Sequence, residues 1–208
     1  MLFAKTTLVK IFVIGAALIS CVDASAKIKV EDYWSDNGAR CVYSHYKDIK
    51  NYGWYHPGLS LRSYVLRKDT VYLVVFKEFV SKPEDPEFLQ GHKMMVRLSN
   101  NDVLTFNLTW EAKPVLHYNN AYNSGYNEPY IYPAYRATAE EIEKMINIGV
   151  KKIRLEHSQG FNDYYIEKPG KCNHTKAVQK LMSEMWEGVR KQLTLPAPPK
   201  PYTPSTEF

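Results

Sequence analysis

The chain has 208 residues, 45% of them apolar and 24% charged, and a formal charge of +5. That is the size of one globular domain with a real core, and it excludes a low-complexity disordered chain. The modest charge comes without a dense Lys/Arg run, which excludes a strongly cationic nucleic-acid binder.

Lys5 and Lys10 precede an apolar run at residues 11–19. The run is too short to cross a bilayer as a mature helix and has the flanks of an export signal. Two cleavage sites fit. Ala24-Ser25-Ala26 would make residues 1–26 the signal, whereas Leu18-Ile19-Ser20-Cys21 resembles a lipobox, which would remove residues 1–20 and lipidate Cys21. Either way the expectation is an exported body, residues 27–193, in the periplasm, at the cell surface or secreted. It would touch a membrane only through a lipid on Cys21.

Either cut leaves Cys41 and Cys172. In an exported chain an even pair reads first as a disulfide, and the long loop it closes would contribute about 4–5 kcal/mol in the chain-entropy model. A metal site built from Cys41 with His45 and Cys172 with His174 is the alternative. Neither spacing is that of a common zinc knuckle, so no metal and no cofactor is assigned.

Residues 27–58 carry Tyr33, Trp34, Tyr43, Tyr46, Tyr52, Trp54 and Tyr55 between turn signals at 36–38 and 56–58, with a short strand at 40–44. Residues 59–66 and 71–79 read as two strands about a turn, the second apolar on both faces. A proline-containing link leads to a hairpin. His92, Met94, Val96 and Leu98 alternate with polar neighbours on one strand, Leu104, Phe106, Leu108 and Trp110 do so on the other, and Asn100-Asn101 turn between them. Thr138-Ala-Glu-Glu141 then forms a capping box for a helix that stops at Gly149. A strand at 150–156, a short one at 163–167 and a final helix at 174–193 follow. That helix has Val178, Leu181, Met182, Met185, Trp186, Val189 and Leu193 on one stripe. Residues 194–208 are proline-rich and are expected to be extended and mobile. The whole predicts an α+β domain, a mostly antiparallel sheet of six or seven strands with two helices packed on one face. There is no internal repeat of the kind that builds a solenoid.

Between hairpin and capped helix the chain reads Tyr118-Asn-Asn-Ala, Tyr122-Asn-Ser-Gly, Tyr126-Asn-Glu-Pro, Tyr130-Ile-Tyr132-Pro. Gly125, Pro129 and Pro133 argue against a helix, so the stretch is read as a run of turns. Tyr offers large contact area at small entropic cost, and Asn offers adaptable hydrogen bonds. Tyr118, Tyr122, Tyr126, Tyr130 and Tyr132, with Trp54 and Tyr55, are therefore the candidate binding residues.

Motifs with a mechanical rationale are absent: no H-E-x-x-H, no G-x-S-x-G, no phosphate-binding glycine loop and no Ser-x-x-Lys. Six histidines are scattered without ligand spacing, and no catalytic residue is assigned. The expectation is a non-catalytic exported or cell-envelope domain that binds a protein or glycan and no nucleic acid. The alternatives are a periplasmic inhibitor or immunity protein and a hydrolase whose site follows no known motif.

The hairpin M-V-R-L-S-N-N-D-V-L-T-F-N-L, the aromatic loop, the helix T-A-E-E-I-E-K-M and the strand G-V-K-K-I-R-L together resemble small exported α+β proteins of Bacteroidetes, over about residues 92 to 156. The resemblance implies a bacterial cell-envelope setting and supplies no catalytic residues.

Overall fold

In a computed structural model the described residues are 28–200, without 36–37, 50–56, 67–68, 80–84, 115, 120–123, 128–129 and 171. Residues 61–64, 66, 116–119, 124–127 and 172 are described by backbone alone. The expected export signal with Cys21, and Trp54, Tyr55 and Tyr122, lie outside the described residues.

The first half of the chain is a meander. β1 (Val30–Trp34) pairs with β2 (Arg40–Ser44), β2 and the short β3 (Lys47–Asp48) pair with β4 (Gly58–Leu66), and β4 runs its full length beside β5 (Asp69–Phe79). Period-2 patterning then makes the expected hairpin of β6 (Lys93–Leu98) and β7 (Val103–Trp110). Met94, Val96, Leu98, Phe106 and Leu108 are buried, and Asn101 takes a φ of 72° in the turn, a conformation that Asn tolerates better than most residues.

The tyrosine-rich stretch departs from its expected run of turns. It forms a separate two-stranded sheet, β8 (Leu116–Asn119) with β9 (Ser124–Asn127), and then two short strands, β10 (Tyr130–Ile131) and β11 (Ala134–Ala137). β10 pairs with the end of β5, and β11 lies between β5 and β7, joining the two halves of the sheet. Small Ala134 and Ala137 with Tyr135 fit that crowded central position, and all three are buried.

Thr138 caps α1 (Ala139–Ile148) with both arms of the capping box present, and Gly149 ends it at φ 89°, ψ 151°. β12 (Val150–His157) pairs with β6, and β13 (Gly160–Tyr165) pairs with β12. β14 (Glu167–Lys168) and β15 (Cys172–Asn173) form a minor ladder before α2 (Thr175–Thr194). The main sheet is antiparallel, in the order β1-β2-β4-β5-β11-β7-β6-β12-β13. With β3 and β10 it has 11 strands, more than the expected six or seven, and the class is α+β as predicted.

The sheet curls. Five inter-strand spacings separate β5 from β13, about 24 Å in a flat sheet. Yet the Phe76 and Tyr164 rings are 4.9 Å apart, and the Tyr164 hydroxyl donates to Glu78. The inner faces of β5 and β13 therefore meet, and the face that carries Val74, Phe76, Tyr135 and Ile153 is concave. α2 packs there against β1, β2, β4 and β12, with Val178, Met182, Met185, Trp186 and Val189 buried and the Trp186 ring 4.9 Å from Tyr72.

Two expectations fall on this part of the chain. Cys41 is a buried, free thiol, and no disulfide is found among the described residues. Cys172 lies just before α2, while Arg40, beside Cys41, donates to Gln192 O in the helix's last turn. Twenty residues of α2 span about 30 Å, and a disulfide needs Cα atoms within about 7 Å. Cys41 also alternates with Arg40 and Val42 on β2, which puts it on the sheet face away from the helix. Of the expected extended tail, residues 195–200 are described: Leu195 has extended backbone, and the Trp34 indole N–H donates to Pro198 O at 2.7 Å.

Candidate functional site

The convex face of the sheet is built from the alternate residues that the core does not use. On β5 these are Leu73, Val75, Lys77 and Phe79, of which Leu73 and Val75 are buried together with Ala134 in a small outer cluster, with Tyr46 packed against it. Tyr46 and Tyr132 lie with ring centroids 4.9 Å apart at 36°, and Tyr132 is 41% exposed. Next to them Tyr130 stands opposite Phe79 in the ladder, meets it edge to face at 5.8 Å, and lies under the Lys77 ammonium at 4.7 Å. Lys77 is also paired with Asp48 at 2.6 Å. The result is an aromatic patch with one cation and one carboxylate at its margin.

A second group occupies the same face at the β1–β2 edge. Tyr33, 41% exposed, meets Tyr43 edge to face at 5.8 Å, and Tyr43 stacks on His45 at 5.8 Å and 13°. Glu31 accepts from Lys29 at 2.7 Å, from the Tyr43 hydroxyl and from His45 Nε2 at 2.7 Å. These hydrogen bonds, Lys29's first, hold its pKa down at about 2, so Glu31 is a fixed negative charge there at neutral pH.

Of the residues singled out in the sequence, the structure brings Tyr130 and Tyr132 into this patch. Tyr118 stands opposite Gly125, and Tyr126 opposite His117, in the separate β8–β9 ladder, and Tyr122 lies outside the described residues. Tyr46, Lys77 and Phe79 were not singled out. For Lys77 and Phe79 the signal was the alternation within residues 71–79, half hidden because both faces of that strand are apolar, and for Tyr46 only its place in the aromatic-rich segment 33–55.

The concave face holds a different polar group. Glu78, 4% exposed, accepts from the Tyr164 hydroxyl on both oxygens and from Asn162 Nδ2 at 3.0 Å. Next along β12, the backbone N–H of Gln159 donates to His157 Nδ1 at 3.2 Å, which leaves the ring proton on Nε2. Among the described residues, His157 Nε2 and the Tyr135 hydroxyl are buried without a hydrogen-bond partner. Burial pushes the Tyr135 pKa up, reinforced by the charges of Glu78 and Glu156, and pushes the His157 pKa down against the nearby Asn162 side chain. Glu78, Tyr164 and Asn162 are bound to one another, so they act as a clasp between β5 and β13.

No family model, curated protein or solved structure matches this chain. Its function is therefore read from its own residues. Among the described residues no group of three or more His, Cys, Asp or Glu side chains could hold a metal ion, and no helix is long and apolar enough to cross a membrane.

Proposed function

We propose that this is a non-catalytic exported, cell-envelope domain that binds a protein partner through the convex face of its sheet. The observation that carries the reading is the Tyr46–Tyr132 pair with Tyr130, Phe79 and Lys77 on the face opposite the helices. An exposed Tyr132 between half-buried Tyr46 and Tyr130, with a charged rim, has the composition of a protein interface. A glycan or small ligand is the weaker reading because such ligands favour concave sites, and this patch lies on the outside of the curl. Export and envelope location rest on the signal-like residues 1–26 and on the resemblance to Bacteroidetes proteins.

The test is a photo-crosslinking amino acid placed at position 132 in the intact chain in a Bacteroidetes host, with position 161 on the far edge strand as comparison. The expected result is one adduct of fixed mass from position 132, reduced at least tenfold by Tyr46→Ala. An adduct that forms equally from position 161, or none from 132, would refute the assignment.

A further inference from the structure

The tail beyond α2 reads Leu195-Pro-Ala-Pro-Pro-Lys-Pro201. Pro196, Pro198 and Pro199 have no backbone N–H, so this segment cannot add to the open edge of β1 as a strand. A proline carbonyl can still accept a hydrogen bond, as the backbone carbonyls of a polyproline II helix do. Leu195, at φ −79° and ψ 156°, already has that conformation.

What receives the tail is a fixed platform. Asp32 on β1 and Arg40 on β2, diagonal neighbours in the ladder, form an ion pair at 2.6 Å, with side chains 7% and 10% exposed. Arg40 Nη2 donates to Gln192 O at 3.0 Å, and Gln192 Nε2 donates to Asp32 at 3.1 Å. The last turn of α2 is thereby tied to β1, and the chain leaves it beside Trp34, which stands opposite Arg40 in the ladder. The Trp34 indole N–H donates to Pro198 O at 2.7 Å, and the Lys200 ammonium lies 4.7 Å above the Trp34 ring. An indole donor on a proline carbonyl, with the aromatic face turned to a following cation, is how aromatic-lined surfaces hold proline-rich peptides.

We propose that Trp34, on the Asp32–Arg40–Gln192 platform, is a recognition site for proline-rich peptides in the polyproline II conformation. The preferred ligand has a basic residue two positions after the gripped carbonyl. The chain's own residues 195–200 are its resident occupant, and a proline-rich segment of a partner protein takes the same place when the tail lifts. Because the tail is tethered a few residues away, its effective concentration is in the millimolar range, and an outside peptide must exceed that to displace it. Weakening the tail removes the competition without altering the site. The inference is independent of the convex face, which Trp34 does not share.

The experiment uses the full chain and follows the Trp34 indole ¹H–¹⁵N resonance, identified as the one absent from Trp34→Phe. In the variant Pro196→Gly/Pro198→Gly/Pro199→Gly this resonance moves away from its wild-type position, while the other three indole signals stay in place. Adding the synthetic peptide LPAPPKP returns it saturably towards that position, at a concentration at least tenfold below what the wild-type chain requires. The peptide LGAGGKG leaves it unmoved, and replacing Lys by Ala in LPAPPKP weakens binding about two- to fivefold. Fluorescence polarisation of labelled LPAPPKP on the tail variant falls at least tenfold when Trp34→Phe is added. A resonance unmoved by the triple substitution would overturn the proposal. So would equal binding of the two peptides, or undiminished binding to Trp34→Phe.

Discussion

Replacing Tyr164 by Phe removes one oxygen atom from the place where β13 closes onto β5. Both Glu78 carboxylate oxygens accept from that hydroxyl, and Glu78 and Tyr164 are 4% and 5% exposed, so water cannot take its place. A hydrogen bond to a charged group contributes about 1.5–3 kcal/mol, and leaving a buried acceptor short of a donor falls at the upper end. Tyr164→Phe is therefore expected to cost about 2–3 kcal/mol, or about 5–10 °C in Tm for a domain of this size. The informative comparison is the double variant Glu78→Met/Tyr164→Phe. With both partners gone no buried charge is stranded, so its loss of stability should fall well below the sum of the two single losses. Urea unfolding followed by circular dichroism on the four proteins of the cycle gives the coupling energy. A loss under about 0.5 kcal/mol for Tyr164→Phe, or strict additivity in the cycle, would refute the view that a desolvated polar clasp holds the curl shut.

Gly149→Ala is expected to destabilise by about 2–4 kcal/mol, since φ 89° with ψ 151° is a region open essentially to Gly alone. A Cβ there would also stand 2.7 Å from Thr175 Cγ2; the same urea titration checks it. Burial holds the His157 pKa below its ordinary value of 6.5, so the unfolded chain binds the proton more readily than the folded one. Stability from this group is complete above about pH 6.5 and is lost as pH falls below it towards the folded pKa. His157→Phe should therefore flatten the pH dependence of the urea midpoint between pH 7 and pH 5. An unchanged slope would show that the ring is solvated.

The elements that were legible in the sequence are those whose instructions are local. The β6–β7 hairpin needed only period-2 alternation and a turn that tolerates Asn101 at positive φ. The ends of α1 needed only the reciprocal Thr138–Glu141 bonds and Gly149. β11 was not legible, because Ala134-Tyr-Arg-Ala137 follows Pro133 and has little strand propensity of its own; its partners on both sides impose the conformation. The cysteine pairing rested on less local information still. An even count fixes neither the sheet face of Cys41 nor its place relative to the far end of α2. For the site, the excess of tyrosine marked the right kind of residue, but the repeat that drew the eye divides between a separate hairpin and the sheet. The patch instead joins Tyr46 to Tyr132, residues 86 positions apart in the numbering. The clasp was invisible, since nothing adjacent to Glu78 in sequence announces Tyr164 and Asn162.

The position of β11 also has a kinetic meaning. Strands β1 to β5 can zip together by successive hairpins, and β6 with β7 can form by itself, but among the described strands it is β11, residues 134–137, that pairs with both units. Until β11 arrives the Val71-Tyr-Leu-Val-Val-Phe76 segment of β5 presents an unpaired apolar edge, the kind that recruits other chains. Assembly should therefore be limited by a late insertion step with long loops to close. On a ribosome emitting the chain from its N-terminus, the most adhesive strand would wait for some sixty further residues before its second partner is made.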